Sequence, residues 1–468
     1  MKLHSLVLIG SLLSSAVFSY TGNNKPSWVL GEKYESKFSN LPKSAKLSED
    51  NIPWANSFWP HIYGGIAFRW NDFYQTPSFA PLHVQISNIK DEMEKLRKSI
   101  FTENMNRTEA LQVIAQIEEL ETERVELLNK KKNLHAKYFF NISRPQSPAD
   151  IMSMSQAELD KLSPAEKYDV YKYLLSEDDY LSMELTHNVL HIQTNPFREY
   201  WEGICNGWTS ASLEFEEPEP MTVTAKGITL NFGSSDLKAL LSYYHDAITT
   251  NPKTQRLGWA SFVGDRCETV FPEEAWFIKD GVEYYKEVIN GEIVTKKVPE
   301  NCVDMNAGAF HLVIGNLIGL RNEGFTAEAV RDKEVWNQPV YEYDAKYKMS
   351  KKVRANATPG TQTQIKVNMI MRYANDGGRM FWVQDGSDDE FYAWWEPTSG
   401  TSNYRHAEKN LEYYIDLDKE GNIIGGMWLS YDRPDFVWVK QNKGFIGDQP
   451  GFGVVGYMNE LGNLVQLR

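Results

Sequence analysis

The turn Trp201-Glu202-Gly203-Ile204-Cys205-Asn206-Gly207-Trp208 sets a thiol between glycines, just before Thr209-Ser210-Ala211-Ser212, which reads as the opening of a helix. Backbone N–H groups and the positive end of a helix dipole stabilise a thiolate there, and the thiolate is the nucleophilic form of cysteine. Cys205 is therefore the candidate nucleophile, with a lowered thiol pKa expected. A buried structural cysteine beside a tryptophan would carry the same local sequence, so the next requirement is a base. Among nine histidines His311 fits best: it follows the glycine turn Asn306-Ala307-Gly308-Ala309-Phe310 and opens the apolar run Leu312-Val313-Ile314, which predicts a strand. An imidazole at a cleft edge would take the thiol proton and return it to a leaving amine. A third group must accept a hydrogen bond from the far ring nitrogen. If residues 312–320 and 325–333 pair across Arg321-Asn322-Glu323-Gly324, Asn337 is the favoured acceptor and Asp332 the runner-up. Trp208 and Trp336 are the aromatics expected around the cleft, where excluding water would favour an amine over hydrolysis.

These groups need elements to hold them. Residues 1–19 read as a secretory signal peptide: Met1-Lys2, an apolar run from Leu6 to Leu13, and small Val17 and Ser19 before Tyr20. Residues 20–50 are polar and aperiodic, which predicts a flexible lead-in, and residues 51–82 form an aromatic-rich arm containing Trp54, Trp59 and Trp70. Over 83–137, apolar residues recur at Ile86, Ile89, Met93, Leu96 and Ile100 and again from Ile114 to Leu134, predicting an antiparallel helical hairpin of coiled-coil type. Ser163-Pro164-Ala165-Glu166 is a helix start within a catalytic α+β region spanning 150–362. Residues 363–468 are β-rich and expected to continue the catalytic sheet.

The formal charge of −14 excludes a nucleic-acid partner held by phosphate neutralisation. No segment beyond the leader approaches 18 apolar residues in a row, so no membrane association is expected after signal cleavage, and the location expected is secreted or periplasmic. Three cysteines in an exported chain suggest one bridge, Cys267 to Cys302, with Cys205 left over.

Val335-Trp336-Asn337-Gln338-Pro339-Val340 closely resembles the elicitor peptide carried by the secreted transglutaminases of oomycete plant pathogens. The resemblance extends, in order, through Ser57-Phe58-Trp59-Pro60, Leu162-Ser163-Pro164-Ala165-Glu166-Lys167, Trp201-Glu202-Gly203-Ile204-Cys205, Asp236-Leu237-Lys238-Ala239-Leu240, Asn306-Ala307-Gly308-Ala309-Phe310-His311 and Ile423-Ile424-Gly425-Gly426-Met427-Trp428. It implies a papain-like α+β cysteine-enzyme fold, its antiparallel sheet extended at the C-terminus, with the helical hairpin as an N-terminal insertion. It implies protein-glutamine γ-glutamyltransferase activity on protein substrates bearing Gln and Lys, with Cys205 and His311 carried over by their blocks. The chain departs from the family pattern at Asn206 and at Glu328-Ala329-Val330. A papain-like peptidase or glutamine deamidase is the rival enzyme, and a non-catalytic secreted binding protein the rival of another class. The resemblance also implies calcium dependence, and no other cofactor. The loop from Asp416 to Asn422 opens like a calcium loop, but its twelfth position is Met427 rather than an acid, so a turn between strands is expected.

Overall fold

In the computed structural model the described residues are 22–61, 64–69, 80–102, 105–140, 143–193, 201–250, 260–265, 273–279, 282–289, 292–299, 305–329, 334–376, 406–441 and 457–467. The signal peptide, Asp332 and the Cys267–Cys302 bridge lie outside them.

Local capping chemistry builds much of the helical part. After the short helix α1 (Ser27–Leu30), the two long helices α2 (Ala80–Thr102) and α3 (Arg107–Phe140) pack on each other as the expected hairpin, burying Ile89, Met93 and Ile100. Three capping boxes follow, in which a serine accepts from the backbone of an acid three residues on while that acid accepts from the serine's own N–H. They start α4 (Pro148–Ser153) at Ser147 and Asp150, α5 (Gln156–Asp160) at Ser155 and Glu158, and α6 (Pro164–Leu175) at Ser163 and Glu166. Helices α7 (Glu184–Gln193), α8 (Cys205–Glu214) and α9 (Ser234–Thr250) complete this layer, and α8 lies so close to α9 that a Cβ on Gly207 would meet Ser242 O at 2.0 Å.

The next helix among the described residues, α10 (Ala307–Asn316), corrects the sequence expectation. The run around His311 is helical, capped by the Asn306 side chain, which accepts from Gly308 and Ala309 N–H; a π turn over Leu317–Arg321 continues it. Residues 312–320 are thus helical rather than one arm of a hairpin, and 325–328 pair with 337–340 instead.

The strands, in chain order, are β1 (Ser44–Lys46), β2 (Met221–Ala225), β3 (Ile228–Phe232), β4 (Ala260–Gly264), β5 (Trp276–Lys279), β6 (Val282–Ile289), β7 (Glu292–Lys297), β8 (Phe325–Glu328), β9 (Asn337–Met349), β10 (Thr363–Ala374), β11 (His406–Leu417), β12 (Ile423–Trp428) and β13 (Phe436–Lys440). Eight of them form one antiparallel sheet in the order β12-β11-β10-β9-β8-β13-β4, with β1 continuing the β8 edge of β9. With 43% helix and 28% strand among the described residues and a curled sheet, the α+β class expected from the sequence is borne out, and the C-terminal strands do continue the sheet. Residues 22–50 are not the flexible lead-in expected over 20–50. Ser44, Ala45 and Lys46 pair with Asp344, Tyr343 and Glu342, and Val29, Leu30, Leu41 and Leu47 are buried in the core. Ladder hydrogen bonds satisfy a polar segment's backbone whatever its side chains.

Strand β9 carries a bulge that decides which side chains face which layer. Arg372 pairs with Glu342 but Tyr373 pairs with Val340, leaving Tyr341 as the extra residue. Val340 and Gln338 therefore sit opposite Phe325 and Ala327, on the face that buries α10. Asn337 and Pro339 sit opposite Glu328 and Thr326, on the face toward α8. The sheet thus separates two hydrophobic cores, one containing Cys205 and the other Phe310, Leu312 and Tyr413 around His311.

Candidate active site

Helix α8 begins at Cys205 itself, after Ile204, whose side chain supplies no cap. The Ile204 N–H is satisfied from far away in sequence: it donates to Phe58 O at 2.7 Å, so the aromatic arm lies across the helix start. The approach is so close that a Cβ on Gly203 would meet Phe58 O at 2.2 Å, which explains a glycine there. Arg69 and Arg144 fasten the arm's far end by ion pairs to the buried Glu166 carboxylate, at 2.6 and 2.9 Å.

The Cys205 thiol is buried, 3.6 Å from Val335 O, which accepts its proton, and 3.5 Å from Asn337 Nδ2, which donates to the sulfur. Trp438 Nε1 donates to Asn337 Oδ1 at 2.8 Å. Burial pushes the Cys205 pKa up to about 11, opposed by donors from the Asn337 side chain and backbone and from the Asn206 backbone, while the Asp376 carboxylate adds to the rise. The shift runs against the lowered value expected from the helix N-terminus: desolvation of the thiolate outweighs the donors that face the sulfur. Trp336 flanks the site, its ring edge-to-face with Phe58 at 5.1 Å and its indole donating to Glu334 at 3.1 Å. Trp208, expected at the cleft, is instead a core anchor, fully buried and donating to Trp54 O at 3.2 Å.

His311 is not brought to Cys205. Its Nδ1 is 2.8 Å from Tyr413 Oη and its Nε2 3.5 Å from Tyr347 Oη, in the core on the other face of the sheet. Tyr347 stands ten residues along β9 from Asn337, roughly 30 Å at about 3.3 Å per residue. Burial drives the His311 pKa down to about 3. Of the expected constellation, then, the structure unites Cys205 and Asn337, with Trp336 beside them, and leaves His311 apart. Sequence reading missed Asp376, whose charge Cys205 senses, and Trp438, which lies 101 residues from its partner with no local signal to reveal it. Trp438 also walls a cavity of about 510 Å³ lined by Ser210, Glu214, Thr326 and Lys440, with Glu214 and Lys440 paired at 2.9 Å.

No group of three or more His, Cys, Asp or Glu side chains among the described residues converges as a metal site would require. Asp416 is committed to Thr358 and Gln364, and Asp418 accepts from the Glu420 and Asn422 N–H groups, so that loop is the expected turn and does not fit calcium. No helix among the described residues is long and apolar enough to cross a membrane.

Residues 286–458, which include Asn337, Asp376 and Trp438, match the model of the transglutaminase elicitor family. The family resemblance read from the sequence is borne out over these residues. Among solved structures, the crystal structure of the GP42 transglutaminase from Phytophthora sojae aligns over 95% of this chain and 98% of that one, at 17% identity and a TM-score of 0.46. A search of curated proteins finds no match.

Proposed function

We propose that the protein is an exported protein-glutamine γ-glutamyltransferase whose nucleophile is Cys205. The thiol attacks the side-chain carboxamide of a protein glutamine, and the thiol proton leaves on the departing ammonia, giving a thioester on Cys205. A lysine amine of a second protein then takes the acyl group to form an isopeptide crosslink; water in its place gives deamidation. The observation that carries this reading is the meeting, in a transglutaminase-type chain, of a thiol at a helix N-terminus with an amide donor from the strand that bears the elicitor-like segment. No step is routed through His311, which lies in the other core.

One observation favours a second reading, a non-catalytic secreted protein. A thiol held up to about 11 is protonated at neutral pH and resembles a structural cysteine. Incorporation of a fluorescent primary amine into a glutamine-rich protein, by the wild-type chain and by Cys205→Ala, separates the two. Incorporation that vanishes in the variant supports acyl transfer. Cysteine-dependent ammonia release or cleavage without incorporation selects a hydrolase, and silence from both proteins selects the non-catalytic reading.

A further inference from the structure

Asn337 was expected to accept a hydrogen bond from a catalytic imidazole, but its oxygen is already engaged. An indole N–H is a donor only, so the Asn337 atom 2.8 Å from Trp438 Nε1 must be the amide oxygen. That fixes the flip of the amide and turns Nδ2, the donating end, toward Cys205 Sγ. The indole itself has little freedom. Trp438 is 2% exposed, pairs with Thr326 on one side and Phe262 on the other, and stacks on the Phe262 ring at 5.7 Å.

We propose that Asn337 is an amide donor to the reacting centre, to the sulfur as it becomes thiolate and to the acyl oxygen as it becomes an oxyanion, and that Trp438 is the positioning residue that keeps it so. The inference rests on Cys205 being the nucleophile. Negative charge developing in a buried site gains most from donors already aimed at it, because they need no reorganisation as the charge appears. The Asn337 and Asn206 backbone N–H groups face the same sulfur, so the side-chain amide completes a converging set of donors. Without the indole the amide is free to turn, and whenever Oδ1 faces the sulfur it repels the charge that Nδ2 would stabilise.

The test uses the full chain as wild type, Trp438→Phe, Asn337→Ala and Asn337→Asp, with two readouts. The first is the pH profile of iodoacetamide alkylation of the Cys205 peptide, followed by mass spectrometry; the second is the kcat and KM of amine incorporation. Loss of one such donor costs about 10²- to 10³-fold in kcat, the effect expected for Asn337→Ala, with about 10-fold for Trp438→Phe and KM for the glutamine substrate unchanged in both. The alkylation midpoint moves to higher pH in both, and furthest in Asn337→Asp, which keeps the side chain's shape but turns a carboxylate oxygen to the sulfur. A Trp438→Phe protein with wild-type kcat and alkylation midpoint overturns the positioning role. Should Trp438→Phe fail to fold, an Asn337→Asp protein with unchanged kcat and midpoint overturns the donor role. A wild-type chain that incorporates no amine refutes the transglutaminase reading separately, and the alkylation profiles still decide whether Asn337 donates to the sulfur.

Discussion

Cys205 and His311 are both buried against the same sheet, one on each face, and their surroundings differ in kind. Around Cys205 the neighbours are a carbonyl, an amide, backbone N–H groups and a carboxylate drawn from remote parts of the chain. Around His311 they are aromatic: Tyr413, Tyr347 and Phe38, with Val367 pairing between the two tyrosine strands. Polar groups converge on the thiol, whereas hydroxyls merely satisfy the imidazole. On the proposed function, what sets the reactive thiol apart is not its burial but the donors aimed at a charge that does not yet exist.

That contrast can be broken most directly by exchanging its two centres. Cys205→Ala is expected to reduce amine incorporation to background while leaving the thermal midpoint nearly unchanged. His311→Gln is expected to retain incorporation within a few-fold but to lose about 1–3 kcal/mol of stability, from the bond to Tyr413 and the reshaped core, read by urea unfolding. An inactive His311→Gln of wild-type stability would reverse the assignment of the two faces.

Two glycines sharpen the contrast at intermediate size. A Cβ on Gly308 would meet Gly425 O at 2.3 Å and lift α10 from β12, while one on Gly203 would meet Phe58 O at 2.2 Å and lift the arm from Cys205. Each clash falls on backbone that cannot swing away, so Gly308→Ala is expected to lose about 1–3 kcal/mol of stability by urea unfolding. Gly203→Ala is expected to lower incorporation out of proportion to its melting temperature. Equal damage to stability and activity in both variants would argue that the two faces do not divide the labour.

The pH dependences of the two faces have opposite signs. His311 titrates near 3 in the fold against an ordinary 6.5, so its unfolded form gains a proton first and stability is lost as pH falls from 6.5 toward 3. Cys205 titrates near 11 against an ordinary 9, so the unfolded thiol loses its proton first and stability is lost as pH rises from 9 toward 11. Thermal melts across pH should show the acid loss diminished in His311→Gln and the alkaline loss diminished in Cys205→Ala.

The sequence revealed what depends on periodicity and caps. The heptad spacing of Ile89, Met93 and Ile100 foretold the hairpin, and Ser163-x-x-Glu166 foretold α6. It misled where two local signals disagreed. Phe310-His311-Leu312-Val313-Ile314 has the apolar, β-branched look of a strand, yet Asn306 just before it is a helix cap, and the cap gave the right element. Asn337 was reached by counting across a hairpin that the structure does not contain; its place beside Cys205 comes instead from β9 meeting α8. The packing of residues 22–51 was illegible because it rests on backbone pairing with β9 and on a few isolated apolar side chains, which average composition hides. Trp438 was invisible for a related reason: its role exists only in the pairing of β13 with β8, which brings it to the end of β9.

The extra residue in β9 acts on the strand as an insertion acts on a reading frame. Downstream of it Tyr343 and Ala345 face the α10 core; upstream, Val340 and Gln338 take over that face and Asn337 is passed to the other. With Tyr341 kept but the bulge ironed out, alternation alone would turn Asn337 toward the histidine's layer and Gln338 toward the thiol. The amide beside Cys205 is thus specified twice, once by the identity of residue 337 and once by the bulge that decides which face it takes.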